Sequence, residues 1–341
     1  MTNSYCFVAA KSAGHILPAL ALAKQIKQLE PKAEIVFIST NSALDHKLLS
    51  TNHDINKHIP YTLTNIPYRK PWRLPSFCMQ FVRTLIKSYK LLKVSRPERI
   101  ISTGGLIALP VCLAGWWLNI PIDLYELNAE PGMAIKSLSK LATHIYYCFD
   151  ETAEYLPQAK RKKTEYPLYI SLNTASKSYD ELNFDDTKRT IFVVGGSQGS
   201  ETLNLALNNA LLENYELANS VNIIHQIGNA EHHLDTWRAW YAKHNIPAYV
   251  FAYEPTCVPY YKLADVVICR SGAGTLFELE ALQKQYITIP LETKSTQHQV
   301  TNALSMARKY PELVKVMRQH DIKKDDLLAQ EINNFLKGNQ I

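Results

Sequence analysis

The residues best suited to chemistry form a short segment late in the chain, Asp265 to Glu280, reading DVVICRSGAGTLFELE. Val266, Val267 and Ile268 make an apolar run of the length a buried parallel strand gives. Ser271, Gly272, Ala273, Gly274 and Thr275 then supply a small-residue turn. Leu276, Leu279, Ala281 and Leu282 follow at helical spacing. Strand, turn and helix in that order place free backbone N–H groups and the positive end of a helix dipole at the edge of a sheet, a setting that suits a phosphate. Glu278 lies about 10 Å further along the helix at 1.5 Å per residue, within reach of a sugar hydroxyl on the same ligand. The same pattern also fits an ordinary βα unit with a surface glutamate.

A second glycine turn, Gly195-Gly196-Ser197-Gln198-Gly199, also sits between an apolar run and a helical pattern. Its spacing is G-G-x-x-G, which argues against a dinucleotide fingerprint. In the first half, His15 falls at the mouth of the first helix, where a ligand-facing side chain would sit. An imidazole there could take a proton from a sugar hydroxyl near neutral pH, or simply bond a neighbouring carbonyl. No Ser-His-Asp ordering, HExxH, Walker lysine or metal cluster is present in the sequence.

These candidates require elements that hold them. The chain opens with a strand (4–10), a turn and helix (11–29, with Pro18 expected in its first turn) and a second strand (33–40), the start of a doubly wound α/β fold. Further strand–turn–helix units begin at 99, 121, 189, 248 and 265, further strands begin at 143 and 221, and YITIPL at 286–291 reads as the last strand. The run KRKK at 160–163 reads as a solvated loop. The polar stretch 171–186 holds few large apolar residues. The expected organisation is therefore an N-terminal domain over 1–165, a linker over 166–186, a C-terminal domain over 187–320 and a terminal helix over 321–341 that packs back on the N-terminal domain.

Length and composition agree: 341 residues, 46% hydrophobic and 20% charged, suffice for two domains with separate cores. No secretory leader is expected, and the longest apolar run, Leu106 to Ile122, is interrupted by Pro110, Asn119 and Pro121 and is short for a membrane span. Six scattered cysteines without a CxxC pair are expected as buried free thiols in a reducing compartment. The net charge of +6 is concentrated. Between Tyr61 and Arg99 stand Arg69, Lys70, Arg73, Arg83, Lys87, Lys90, Lys93, Arg96 and Arg99 against the single acid Glu98, interleaved with Tyr68, Trp72, Leu74, Phe77, Phe81, Leu85, Ile86 and Tyr89. Such a helix can lie on an anionic membrane surface or present a solvated basic face over a core. Nucleic acid is not expected, because no RRM, KH or zinc-knuckle signature accompanies it.

Taken together and in order, SAGHILPALALA, STGGLIALP, YELNAEPGMAIKSLSKLAT, VVGGSQGSETLN, ADVVICRSGAGTLFELEA and HQVTNA resemble the MurG family of glycosyltransferases over nearly the whole chain. The resemblance implies a GT-B architecture, two Rossmann-like doubly wound parallel-sheet domains facing across a cleft. It implies an inverting transfer of N-acetylglucosamine from UDP-N-acetylglucosamine to the 4-hydroxyl of a polyprenyl-diphosphate-linked muramyl peptide, in peptidoglycan synthesis. By similarity Gly196, Ser197 and Gln198 line the donor cleft; Arg270, Ser271, Gly272, Ala273 and Thr275 meet the diphosphate; and Glu278 takes the ribose. His298, Gln299 and Asn302 contact the sugar, and the backbone at Tyr253 and Glu254 receives uracil. His15, or else Glu126, is the catalytic base. Ser12, Ala13, Gly14, Gly104, Gly105 and Asn128 face the acceptor. The basic aromatic stretch from Tyr68 to Lys93 matches the family's membrane-facing region, which implies a peripheral enzyme on the cytoplasmic face. No cofactor or protein-held metal is implied, and a divalent cation beside the diphosphate stays open.

The chain departs from the family at several points. The G-G-T-G-G-H turn is Ala10-Lys11-Ser12-Ala13-Gly14-His15. The G-N-P-x-R junction is Glu165-Tyr166-Pro167-Leu168-Tyr169. The tyrosine after Gly105 is Leu106, and Tyr125 and Leu127 replace the first and third residues of H-E-Q-N. Side chains in the first turn keep an acceptor diphosphate further from the backbone. The departures fall mainly in the acceptor half, leaving open a different acceptor or a UDP-sugar-binding protein without turnover.

Overall fold

The computed structural model describes residues 3–338 apart from 11, 51, 197, 229–232, 294–295 and 324–325; the side chains of 323 and 338 are also outside it. The chain forms two compact units, 1–169 and 170–341.

In the first unit the strands are β1 (Ser4–Val8), β2 (Glu34–Thr40), β3 (Lys57–Tyr61), β4 (Arg99–Ser102), β5 (Ile122–Glu126), β6 (His144–Tyr147) and β7 (Arg161–Lys163). All run parallel, in the order β3-β2-β1-β4-β5-β6-β7. The main helices are α1 (Ala13–Leu29), α2 (Ala43–Leu49), α3 (Leu74–Ser95), α4 (Ala108–Trp117) and α5 (Met133–Leu138). The central strands are buried on both faces, as crossover helices require of a parallel sheet: one core contains Phe7, Ile35 and Phe37 with Ile16 and Leu20 of α1, the other Val8, Ile100 and Leu124 with Leu92 and Val111. KRKK is not a free loop. Its last three residues form β7, an edge strand on which lysines face solvent without disturbing the pairing. Pro18 sits at the sixth residue of α1, not in the first turn, because the helix begins at Ala13 under the Ser12 cap. Proline cannot donate to the carbonyl four residues back, which is that of Gly14, and Gly14 is exposed to water.

The second unit repeats the plan with β8 (Arg189–Val194), β9 (Val221–Gln226), β10 (Ala248–Phe251), β11 (Val266–Cys269), β12 (Tyr286–Thr288) and β13 (Val314–Val316). The order is β10-β9-β8-β11-β12-β13, again all parallel. Its helices are α6 (Tyr179–Leu182), α7 (Glu201–Glu213), α8 (Tyr215–Ser220), α9 (Leu234–Lys243), α10 (Val258–Leu263), α11 (Ala273–Ala281), α12 (His298–Lys309) and α13 (Leu327–Gly338). YITIPL is therefore not the last strand, since β13 pairs outside it. The terminal helix, expected on the N-terminal domain, buries Leu328, Ala329, Ile332 and Leu336 in the second unit's own core, against α7 and β11. That core also encloses His225, bonded to Asn204 and Tyr241 at 3.0 Å each. Burial drives its pKa down to about 3, so it stays neutral and structural. Of the six cysteines Cys6, Cys112, Cys148 and Cys269 are buried, whereas Cys78 is exposed on α3.

Candidate active site

In each sheet the strand order reverses direction at one place, between β1 and β4 and between β8 and β11. Ligands of doubly wound sheets bind outside the carboxyl ends of the strands at such a point. The candidate residues fall on these loops.

In the second unit β8 leads into the Gly195–Ser200 turn and α7. Gly199 has φ of 75°, and a Cβ there would lie 2.2 Å from the Ile227 carbonyl oxygen, so the turn packs backbone against backbone and admits only glycine. Gly228, against which it packs, donates to the carbonyl of Ala252 at 2.9 Å. The loop after β10, carrying Tyr253 and Glu254, is thereby tied to the glycine turn. Gly196 has open space where a side chain would be, and Gln198 is exposed. Ser197 lies outside the described residues.

β11 ends in Cys269 and is followed by Arg270, Ser271 and α11. Gly272 is the N-cap residue of α11, with no side-chain cap and open space where a Cβ would stand. The first amides of a helix have no intrahelical acceptor, so those of Ala273, Gly274 and Thr275 carry the positive helix end. Ser271 is buried with its hydroxyl 2.7 Å from that of Thr288, so its side chain braces β11 against β12 and does not face a ligand. Arg270 is also spoken for: its Nε and one Nη donate to Ser200 Oγ at 3.1 and 2.7 Å, and the other Nη donates to the carbonyls of Ile289 and Pro290 at 3.0 and 3.3 Å. Glu278 is half-buried beside the Tyr261 hydroxyl, which also bonds Thr275. Burial raises its carboxyl to about 7, against the lowering effect of the Tyr261 bond. At the start of α12, Gln299 accepts from the Leu291 amide at 2.9 Å. Buried Asn302 donates to the Ser271 carbonyl at 3.3 Å, joining that helix to the α11 turn, and His298, partly exposed, is its first residue.

In the first unit Ser12 caps α1 by accepting from Gly14 N at 3.1 Å, with Ala13 and exposed Gly14 in the opening turn; Lys11 lies outside the described residues. His15 Nδ1 is 2.8 Å from the Thr103 carbonyl oxygen. A carbonyl only accepts, so Nδ1 carries the proton and Nε2 is the basic nitrogen. Gly104, φ 108°, lies beneath the ring: a Cβ there would be 3.2 Å from His15 Cε1. Gly105 backs onto Ala10, whose carbonyl oxygen a Cβ would meet at 3.3 Å. Glu126 is buried and faces inward. One oxygen accepts from the Asn128 amide at 2.9 Å and its side-chain nitrogen at 3.2 Å, the other from the Gly132 amide at 2.9 Å. Burial nonetheless raises its carboxyl pKa, and these bonds lower it less than burial lifts it. Glu126 shapes the loop 127–132, and of the two candidate bases His15 has the better geometry.

The sequence reading passed over Thr103, Ser200 and Tyr261. Ser200 had a signal, since it stands where the N-cap of α7 must fall; Tyr261 had none.

The sequence model of the glycosyltransferase family 28 N-terminal domain matches residues 6–147, and that of the family 28 C-terminal domain matches residues 190–340. The UDP-N-acetylglucosamine–N-acetylmuramyl-(pentapeptide) pyrophosphoryl-undecaprenol N-acetylglucosamine transferase of Bacillus pumilus (strain SAFR-032) is 30% identical over 327 residues, covering 92% of this chain and 85% of that protein. The chain belongs to the MurG family of glycosyltransferases. The transferase of the same name from Bacillus subtilis (strain 168) is 27% identical over 303 residues, covering 86% of this chain and 81% of its own. The crystal structure of Acinetobacter baumannii MurG matches with a TM-score of 0.73 at 25% identity, covering 97% of this chain and 90% of that one. The two parallel sheets thus have the GT-B fold of the family.

Proposed function

We propose that this chain transfers N-acetylglucosamine from UDP-N-acetylglucosamine to the 4-hydroxyl of a muramyl peptide carried on polyprenyl diphosphate, inverting the anomeric carbon; its relatives' names describe the donor, the transferred sugar and the lipid-linked muramyl acceptor. The observation that carries the donor assignment is the uncapped start of α11 at the strand-order reversal, with Glu278 further along the same helix. The diphosphate meets the amides of Ala273 to Thr275, Glu278 takes the ribose hydroxyls, the loop at Tyr253 and Glu254 takes uracil, and the α12 start at His298 borders the sugar. When the acceptor hydroxyl attacks, His15 Nε2 takes its proton. Charge growing on the departing UDP falls at the helix end, where fixed dipoles lower the barrier without reorganising.

The acceptor's lipid carrier requires access to a membrane. Among the described residues no helix is long and apolar enough to cross one. We assign a peripheral role to α3, which exposes Met79, Val82 and Ile86 at helical spacing, with Tyr68 and Trp72 exposed ahead of it and Arg83, Lys87 and Lys90 exposed around them. Apolar insertion plus basic contact with anionic headgroups suits the cytoplasmic face. The altered turn at Ala10 to Gly14 favours a second reading, a different acceptor on the same donor chemistry. A screen of lipid-linked muramyl, other lipid-linked and small glycoside acceptors with labelled UDP-N-acetylglucosamine separates them: transfer confined to the muramyl lipid supports the proposal, and transfer only to another acceptor overturns it.

A further inference from the structure

Arg270 was expected against the diphosphate, yet the residue is only 8% exposed and every hydrogen bond it makes among the described residues is internal. Its partners lie on separate elements. Ser200 closes the glycine turn after β8 and caps α7 through the Leu203 amide at 3.4 Å; Ile289 and Pro290 follow β12. Arg270 itself follows β11. The side chain therefore cross-links the three loop ends around the α11 start. Its planar fork is what allows two nitrogens to share one hydroxyl while the third reaches two carbonyls; an ammonium could not span them.

The charge is notable as well. Among the described residues no carboxylate lies within ion-pair distance of Arg270. Glu292, whose field reaches it, is held by Arg318 at 2.6 and 2.8 Å. A buried cation bonded only to a hydroxyl and carbonyls, with its nearest carboxylate engaged by another arginine, costs free energy that an arriving anion would offset. The uncapped α11 start, three residues on, is where such an anion would be received.

We infer that Arg270 is a positioning residue for the donor diphosphate: it acts through Ser200, holding the glycine turn against the start of α11, and supplies its charge at a distance instead of touching phosphate. This rests on the donor assignment above and changes which residues perform it. The amides and the glycine turn make the contact, while Arg270 and Ser200 work as one unit.

A double-mutant cycle on the full chain tests it, with Arg270→Lys, Ser200→Ala, the double variant and Ser200→Thr. The dissociation constant of UDP-N-acetylglucosamine is measured by calorimetry and KM and kcat by transfer. A lost charged hydrogen bond predicts that each single substitution weakens donor binding about 10-fold or more. The double variant should be no weaker than the worse single, because both remove the same link. Ser200→Thr, which keeps the hydroxyl, should regain the affinity that Ser200→Ala loses. The effect should appear in KM and dissociation constant with a smaller change in kcat, which partial misfolding would not produce. If Arg270→Lys does not fold, the Ser200 pair carries the test alone. Donor affinity within twofold of wild type in Ser200→Ala, or additive losses in the double variant, would overturn the inference in favour of direct phosphate contact. Failure of the wild-type chain to bind UDP-N-acetylglucosamine would instead overturn the donor assignment itself.

Discussion

The Nδ1 of His15 lies 2.8 Å from the carbonyl oxygen of Thr103, and the Thr103 hydroxyl bonds back to the His15 carbonyl at 2.7 Å. This reciprocal pair locks the first residues of α1 to the end of β4 and fixes the imidazole tautomer. Replacing His15 by Ala should lower kcat by roughly 10²- to 10⁴-fold, the usual contribution of a general base. Calorimetry should show UDP-N-acetylglucosamine affinity unchanged, since the donor residues belong to the other unit. Weakened donor binding would place His15 elsewhere in the reaction.

Glu126 should behave as a structural residue. Glu126→Ala removes the acceptor of the half-buried Asn128 amide and the exposed Gly132 amide, and each lost bond to a charged group contributes about 1.5–3 kcal/mol when shielded and less where water replaces it. Urea unfolding should register that loss, and Glu126→Gln, retaining one acceptor, should recover part of it. A Glu126→Gln variant of wild-type stability that lacks transfer would show that the carboxylate is the base.

Glu278 makes donor binding pH-dependent. Its folded pKa of about 7 lies above the ordinary value of 4.5, so burial opposes ionisation. Its favourable term for stability is complete below the ordinary value and is lost as pH rises through about 7. Ribose hydroxyls donate to the ionised form, so binding should tighten as pH rises from 6 to 8, releasing a proton below about 7 and little above it. The nucleotide sugar's diphosphate diester does not titrate there. Calorimetry at three pH values should show affinity rising by up to about tenfold per unit below the pKa. Glu278→Gln should flatten the profile, and a wild-type profile already flat would remove Glu278 from the ribose site.

The donor half was legible because its chemistry is carried by backbone and small residues. A buried apolar strand followed by Ser271-Gly272-Ala273-Gly274 leaves few local structures available, and Glu278 is placed by the helical repeat. Side chains that turn inward were harder to read. Nothing in the residue types tells that Arg270 bonds Ser200 across the sheet, or that Glu126 folds back on its own loop, because both depend on contacts between segments distant in sequence or on a turn's detailed path. Edge strands were obscured for another reason. Lys57–Tyr61 and Arg161–Lys163 are lysine-bearing, and β13 is three residues long, so their pairing is set by the neighbouring strand more than by their own pattern.

The exposed apolar stripe of α3 gives a membrane prediction. Val82 and Ile86 are exposed, so Val82→Glu with Ile86→Glu should leave thermal unfolding unchanged and abolish sedimentation with vesicles containing anionic phospholipid. Wild-type binding should weaken as salt is raised, because the exposed Arg83, Lys87 and Lys90 contribute about 1 kcal/mol each near such a surface. Unaltered vesicle binding by the double variant would assign α3 a purely structural role.

The most direct measurement is transfer by the intact wild-type chain, with UDP-N-acetylglucosamine as donor, a polyprenyl-diphosphate muramyl peptide as acceptor, and the product's anomeric configuration read by NMR. The account expects one N-acetylglucosamine added at the 4-hydroxyl with inverted configuration, and loss of that product in His15→Ala. A folded protein that binds the donor yet forms no disaccharide, or forms one with retained configuration, would contradict it.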